Sequence, residues 1–125
     1  MGSPDIIGIA GGKLTLADLK TSVKPYCRWW PKDLEKGCPE WRDRLGGYMK
    51  FKKCLKQLGA YALGIEQTLN MKVAQAAIIV STPKDTQLFK ISRRHLNYAQ
   101  DDWLKVVAEY YKQINNCVVY DADNI

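Results

Sequence analysis

The chain has 125 residues, of which 46% are hydrophobic, and a formal net charge of +6 at pH 7. This length favours one domain with one functional site, and no apolar run reaches the roughly 20 residues that a membrane-spanning helix needs. The first residues carry no basic segment followed by an apolar one, as a secretion signal would. We therefore expect an intracellular protein that is neither secreted nor bound to membranes.

The chain begins with a predicted β-hairpin. Residues 5–10 and 13–21 are two strand-like runs separated by Gly11 and Gly12. Two glycines suit a two-residue primed turn, because both turn residues take positive φ angles there. The two runs are therefore expected to pair antiparallel.

The register of this hairpin places two aspartates opposite each other. Counting outward from the turn, Asp5 faces Asp18, and opposed side chains share a sheet face with Cβ atoms roughly 4.5–5.5 Å apart. Lys20 lies two residues beyond Asp18 and hence on the same face. Two carboxylates this close repel each other unless a cation lies between them, which points to Mg²⁺ or Mn²⁺. The alternative is a solvent-exposed strand end at which Asp18 and Lys20 only pair with each other.

A basic, aromatic segment follows the hairpin. Residues 23–46 contain three prolines and read as an irregular loop with a short helical piece at about 32–36. A wider stretch, residues 24–56, holds ten Lys and Arg against four Asp and Glu, and three of the four tryptophans. Positive charge interleaved with rings suits a phosphate backbone whose bases can stack, although a solvated basic face with inward rings is the alternative. The candidate nucleic-acid-binding residues are Arg28, Trp29, Trp30, Lys50 and Lys53.

The rest of the chain alternates between helical and strand patterns. Apolar residues at spacings of three and four predict a helix over about 47–69. Two β-branched runs predict a second hairpin, 74–81 with 86–91, and Ser92 can cap a second helix that runs to about residue 115. Strand pair, helix, strand pair and helix describe a mixed α/β domain.

The four cysteines, Cys27, Cys38, Cys54 and Cys117, have neither the spacing of zinc ligands nor the density of a disulfide framework. We expect reduced thiols, with a disulfide between Cys27 and Cys38 as the alternative. The residues from Cys117 onward fit either a last strand or a loose end.

One motif in the first hairpin resembles that of a known family. Pro4 and Asp5, followed by Asp18, Leu19 and Lys20 at the end of the next strand, resemble the PD-(D/E)XK nuclease motif. The letters "GSPD" also fit the GxxD form found in the RecB-like and phage exonuclease branch of that superfamily.

A second motif, on the predicted helix, resembles the same branch. Gln57 and Tyr61, in "QLGAY", match the QxxxY motif that follows the Asp-x-Lys strand in its members. With the strand "AAIIVST" and the helix "WLKVVAEYY", the sequence is similar to phage exonucleases and to the mitochondrial genome maintenance exonuclease over about 2–22 and 54–112. A phage-encoded protein would be consistent with this similarity.

The resemblance implies a single nuclease domain over residues 1–125, with a basic aromatic insert at about 23–46. Its fold would be α/β with a restriction-endonuclease-like core, a mixed β-sheet flanked by two long helices. Its activity would be hydrolysis of DNA phosphodiester bonds with Mg²⁺ or Mn²⁺, by an exonuclease that acts on single-stranded or frayed ends.

Site residues follow from the same resemblance. Asp5 and Asp18 would hold the metal with help from the Leu19 carbonyl. Lys20 would serve the attacking water. The remaining candidates, which would support the site or contact the substrate phosphate, are Gln57 and Tyr61.

The sequence also departs from the family. The helix that usually precedes GxxD is lacking, so an exposed sheet edge would favour a homodimer. The cysteine spacing of the iron–sulfur relatives is missing, and we expect no iron–sulfur cluster. Two alternatives stay open: a non-cleaving nucleic-acid-binding module of the same fold, and a dimeric structure-specific endonuclease or resolvase.

Overall fold

A computed structural model describes residues 6–116 of the chain. The elements, in chain order, are β1 (Ile6–Ala10), β2 (Lys13–Thr21), α1 (Pro39–Leu69), β3 (Gln75–Ser81), β4 (Thr86–Ser92) and α2 (Arg93–Asn116). The strands form one sheet in the order β1-β2-β3-β4, in which β2 and β3 are parallel and the two outer pairs are antiparallel. The expected α/β class, with a mixed sheet and two long helices, is confirmed.

The first hairpin has the predicted register. Ala10 pairs with Lys13 and Ile6 with Ala17, and the turn glycines have φ angles of 57° and 74°. Asp5 lies outside the described residues, so its expected pairing with Asp18 stays a prediction. The expected strand or loose end from Cys117 onward lies outside them as well.

Both helices pack on one face of the sheet. Alternate residues of the central strands, such as Leu16 on β2 and Ile78 on β3, have no exposed surface and meet Leu58 of α1 and Leu96 of α2. Full burial of such a side chain contributes about 1.5–3 kcal/mol. This shared apolar layer fixes where α1 lies relative to the end of β2.

The first helix begins at Pro39. The sequence predicts a start near residue 47. Proline is tolerated at the first helical position, where its missing N–H would have no helical partner. Cys38 caps the helix, since its Sγ accepts a hydrogen bond from the Trp41 backbone N–H at 3.3 Å. The predicted helical piece at 32–36 is wrong: the structure has only turns there, and the following Gly37 has a φ of 91°.

The second hairpin and α2 begin and end within about a residue of their predicted bounds. Ser92 caps α2 through its Oγ, which accepts from the His95 backbone N–H at 3.4 Å. The buried residues of α2 lie only in its first turns. Val106 and Tyr110 are 43% and 60% exposed, because α1 and the sheet cover Leu96 and Ala99 but not the later turns.

Two further expectations concern cysteines and membranes. Cys27, Cys38 and Cys54 are free thiols, so the alternative disulfide between Cys27 and Cys38 does not form. Neither α1 nor α2, the two long helices of residues 6–116, contains a segment apolar enough to cross a membrane.

Candidate active site

Asp18 and Lys20 lie together on the face of β2 that points toward α1. Asp18 is only 4% exposed. Its Oδ2 lies 3.3 Å from the Lys20 ammonium and accepts a hydrogen bond from the Cys54 thiol of α1 at 3.1 Å. A buried carboxylate is costly unless it is paired, and these two contacts supply the pairing.

The ammonium of Lys20 is held in its charged form. Partial burial lowers the pKa of Lys20, but attraction to the Asp18 carboxylate and the hydrogen bond to it outweigh this, with smaller contributions from Cys54 and Tyr26. The pKa of Lys20 therefore lies above its ordinary value of 10.5. At neutral pH Lys20 is a cation and has no free electron pair with which to accept a proton.

A cavity of about 310 Å³ opens beside this pair. Lys50, Lys53 and Gln57 line it from one face of α1, and Lys20 lines it from β2. Residues three and four apart share a helix face, which explains why these α1 side chains point to the same space. The cavity thus joins residues from both sequence motifs and gathers three lysines, an arrangement suited to an anion.

Among the described residues, Tyr61 and Leu19 do not line this cavity, and Asp18 adjoins it through Lys20 and Cys54. Tyr61 lies one turn beyond Gln57 and packs, partly buried, against the apolar core. The Leu19 side chain is half exposed and points to the opposite face of β2 from Asp18, so only its backbone carbonyl is relevant to the expected role. Asp5 lies outside the described residues.

Two residues at the site were not among the predicted ones. Cys54 is 3% exposed and reaches Asp18 from α1. Its position three residues after Phe51 could have indicated its burial, but not the contact with Asp18. Tyr26 also lines the cavity. Burial, followed by the neighbouring Cys54, raises the pKa of Tyr26 above its usual value of 10.0, so its phenol is neutral at physiological pH.

Tyr26 is fixed in place through its backbone. Its N–H donates to Gln87 Oε1 at 2.8 Å, and its carbonyl accepts from Gln87 Nε2 at 3.0 Å. This two-point contact ties the loop after β2 to β4. No local pattern in the sequence indicates a pairing between residues 61 positions apart.

The side chains of the site determine whether it could bind a metal ion. Within residues 6–116, no group of three or more His, Cys, Asp or Glu side chains is close enough together to hold a metal ion. Within these residues, Asp18 supplies the carboxylate of the candidate active site. Mg²⁺ commonly takes one or two protein carboxylates and fills its remaining positions with water or phosphate oxygens, so a single described carboxylate is compatible with it.

The predicted nucleic-acid-binding residues fall into two groups. Lys50 and Lys53 line the cavity beside Asp18. Arg28, Trp29 and Trp30 line a different cavity, between the loop, α1 and the start of α2. The predicted phosphate-binding lysines and the predicted stacking rings therefore line separate cavities.

Comparisons with known proteins do not identify a family for this chain. No family model matches the sequence, and no curated protein matches it. Among solved structures, "Crystal structure of SSO0001" matches with 17% identity and a TM-score of 0.38, over 82% of this chain and 39% of that chain. The chain therefore spans well under half the length of that protein, and a likeness at this TM-score does not identify a shared fold.

Proposed function

We propose that the protein is a divalent-metal-dependent deoxyribonuclease of the PD-(D/E)XK type, with a restriction-endonuclease-like core. It hydrolyses DNA phosphodiester bonds, as an exonuclease on single-stranded or frayed ends. The observation that carries the proposal is the Asp18–Lys20 pair at 3.3 Å, beside a cavity that Lys50, Lys53 and Gln57 line from α1.

The charges of the cavity suit a phosphodiester. Three lysines surround a space of about 310 Å³, and the only described carboxylate beside it is already paired with Lys20. A phosphate that entered would gain favourable electrostatic contacts, and these strengthen as charge accumulates on its oxygens during hydrolysis. Gln57 adds an amide that can donate to the same oxygens.

Lys20 acts in this proposal as a fixed positive charge. Its pKa, raised by the Asp18 carboxylate, keeps it protonated at neutral pH as long as Asp18 binds no metal. It orients the attacking water by donating a hydrogen bond and offsets negative charge on the phosphate. Asp18 in turn holds the Lys20 ammonium in position through the 3.3 Å contact.

The donors of the site are those of a hard divalent cation. The Asp18 carboxylate, the Leu19 carbonyl and, outside the described residues, Asp5 would hold Mg²⁺ or Mn²⁺. The ion would supply Lewis-acid stabilisation of the phosphoryl oxygens.

One observation favours the alternative of a nucleic-acid-binding module that does not cleave. Both contacts to Asp18, from Lys20 and from Cys54, use the same Oδ2, and the residue is 96% buried. A carboxylate engaged in this way is suited to holding β2 and α1 together. Under this alternative the lysine-lined cavity binds phosphate without hydrolysis.

The deciding experiment is a cleavage assay on labelled DNA. Single-stranded, duplex and covalently closed circular substrates would be incubated with Mg²⁺, Mn²⁺ or EDTA. We expect metal-dependent cleavage of linear single strands, none with EDTA, and none of closed circles. Cleavage of closed circles would instead indicate endonuclease activity.

Matched variants locate the activity. Asp18→Asn should lower the cleavage rate by at least about 10²-fold, since contributions of single charged or polar groups of this kind are about 10²–10³. Asp101→Asn, on the exposed face of α2, is the control and should cleave normally. DNA binding without metal-dependent cleavage by the wild-type protein would support the non-cleaving module, and full activity of Asp18→Asn would overturn the proposed site.

A further inference from the structure

A second cavity, of about 300 Å³, lies between the loop after β2, α1 and the start of α2. We refer to it as the aromatic pocket. Its lining combines flat rings with cationic or ionisable side chains: Arg28, Trp29, Trp30, Tyr48, Lys52 and His95. The volume is at the low end of the range for small-molecule sites, which suits a single nucleotide unit.

The tryptophans of this pocket are exposed. Trp29 is 75% exposed and Trp30 is 50% exposed. The Trp30 ring is held by edge contacts, with its centroid 6.4 Å from that of Trp41 and 5.8 Å from that of Tyr48. Large aromatic side chains usually bury most of their surface in folded domains, so a fixed and half-exposed ring is available to stack with a ligand.

Positive charge lies beside these rings. The guanidinium of Arg28 is 5.7 Å from the Trp29 ring centroid, and Lys52 approaches from α1. Rings supply a stacking surface for a base, while Arg and Lys pair with phosphate. The aromatic pocket can therefore bind both parts of a ligand that has an aromatic ring and a phosphate.

A groove between α1 and α2 adjoins both the aromatic pocket and the candidate active site. Its cavity, of about 530 Å³, is lined by four lysines, Lys52, Lys53, Lys56 and Lys105, together with one carboxylate, Asp102. Lys53 also lines the active-site cavity, and Lys52 also lines the aromatic pocket. The three cavities thus adjoin one another at shared lysines, and their linings carry an excess of positive charge.

We propose that the aromatic pocket binds an unpaired base of a single-stranded nucleic acid, whose backbone follows the lysines of the groove to the candidate active site. The proposal rests on the proposed function for the cleavage of that backbone at the candidate active site. A base in a duplex is already stacked on both faces and cannot enter a pocket between rings. The pocket therefore selects single strands and fixes a base at some distance from the phosphate to be cleaved.

The test measures binding without cleavage. A fluorescein-labelled 12-nucleotide thymidine strand, and a duplex of the same length, would be titrated with protein in EDTA and followed by fluorescence anisotropy. Trp29→Ala should weaken single-strand binding by roughly tenfold, because the base loses the aromatic side chain on which it stacks. Binding to the duplex should change less than twofold.

Matched variants and substrates sharpen the result. Trp29→Phe keeps a ring and should retain most of the affinity, and Tyr110→Ala removes an exposed ring of α2 outside the pocket and should bind normally. Strands with one abasic residue, moved along the sequence, should lose affinity at one position, and Trp29→Ala should abolish that dependence. An unchanged affinity of Trp29→Ala, or equal losses for single strand and duplex, would overturn the proposal.

These outcomes are separable from a failure of the proposed function. Metal-dependent cleavage that needs Asp18, together with normal binding by Trp29→Ala, refutes the pocket and leaves the nuclease intact. Position-dependent loss at the abasic site without any cleavage supports the pocket and refutes the nuclease.

Discussion

Two regions of the molecule present candidate functional side chains in opposite ways. At the seam between β2 and α1, the charged Asp18 is 96% buried and is held by contacts from Lys20 and Cys54. In the loop after β2, the apolar ring of Trp29 is 75% exposed. Water would stabilise the carboxylate of Asp18, yet this group is buried. Water does not stabilise the apolar ring of Trp29, yet this ring is exposed.

Under the proposed function, this contrast indicates that the two regions have different roles. Positioned charges in a shielded site need no reorganisation when charge develops, which is what hydrolysis requires. Exposed rings gain free energy only when a ligand covers them, which is what binding requires. The comparison predicts that variants at the seam change the rate of hydrolysis and that variants in the loop change affinity.

The largest effect is expected from Lys20→Ala. Loss of the fixed positive charge should lower kcat by about 10²-fold and leave KM for a single strand within about twofold. Lys90→Ala removes an exposed lysine from β4 and is the control, with normal kcat. A raised KM with normal kcat would mean that Lys20 only binds substrate, and the division between the two regions would fail.

An intermediate effect is expected where the loop contacts α1. A Cβ on Gly47 would lie 2.6 Å from the Pro25 carbonyl oxygen, whereas a Cβ on the adjacent Gly46 would have no atom within 4 Å. Gly47→Ala should therefore destabilise the fold by about 1–3 kcal/mol and weaken single-strand binding, because the loop must shift. Urea unfolding and anisotropy titrations would measure the two changes.

The neighbouring glycine provides the control for that variant. Gly46→Ala adds a better helix former in open space and should stabilise α1 by up to about 1 kcal/mol, with unchanged binding. Equal effects of the two variants would show that the loop is not held by its close approach to Gly47.

The smallest effect concerns the pH dependence of the Asp18–Lys20 pair. Because the folded-state pKa of Lys20 is above 10.5, its contribution to stability is fully present below 10.5 and is lost as the pH rises through the folded value. Since the Lys20 side chain is 36% exposed, solvent screening keeps that contribution below about 1 kcal/mol. The difference in urea unfolding between wild type and Lys20→Met should be constant up to about pH 10 and change as the pH rises above 10.5, and a difference that stays constant there would contradict the pairing.

Local patterns in the sequence predict much of this fold. The two turn glycines fix the register of β1 and β2, and the spacing of Phe51, Leu58 and Ala62 indicates the buried side of α1. The start of α1 is missed because Pro39 and the glycine pair at 46–47 resemble loop signals. Proline at the first helical position and a glycine under a tight contact are both compatible with a helix once the tertiary structure is known.

The candidate site is predictable to a smaller extent. Lys20 and Gln57 belong to motifs, and the structure places both at one cavity. The contact from Cys54 to Asp18 joins residues on different elements, and the contact from Gln87 to Tyr26 joins β4 to a loop. Pairings of this kind depend on how elements pack together, and a single sequence contains no periodic signal for them.

The parallel pairing of β2 with β3 has a consequence for how such a protein can change. The chain must leave β2 and return to the same end of the sheet, and the loop and α1 both belong to that crossover. The length and content of the loop are therefore independent of the strand register that aligns Asp18 with Ile78. Evolution or protein engineering can exchange the ring-bearing segment for another while Asp18 and Lys20 keep their positions, which under the proposed function would redirect the choice of substrate.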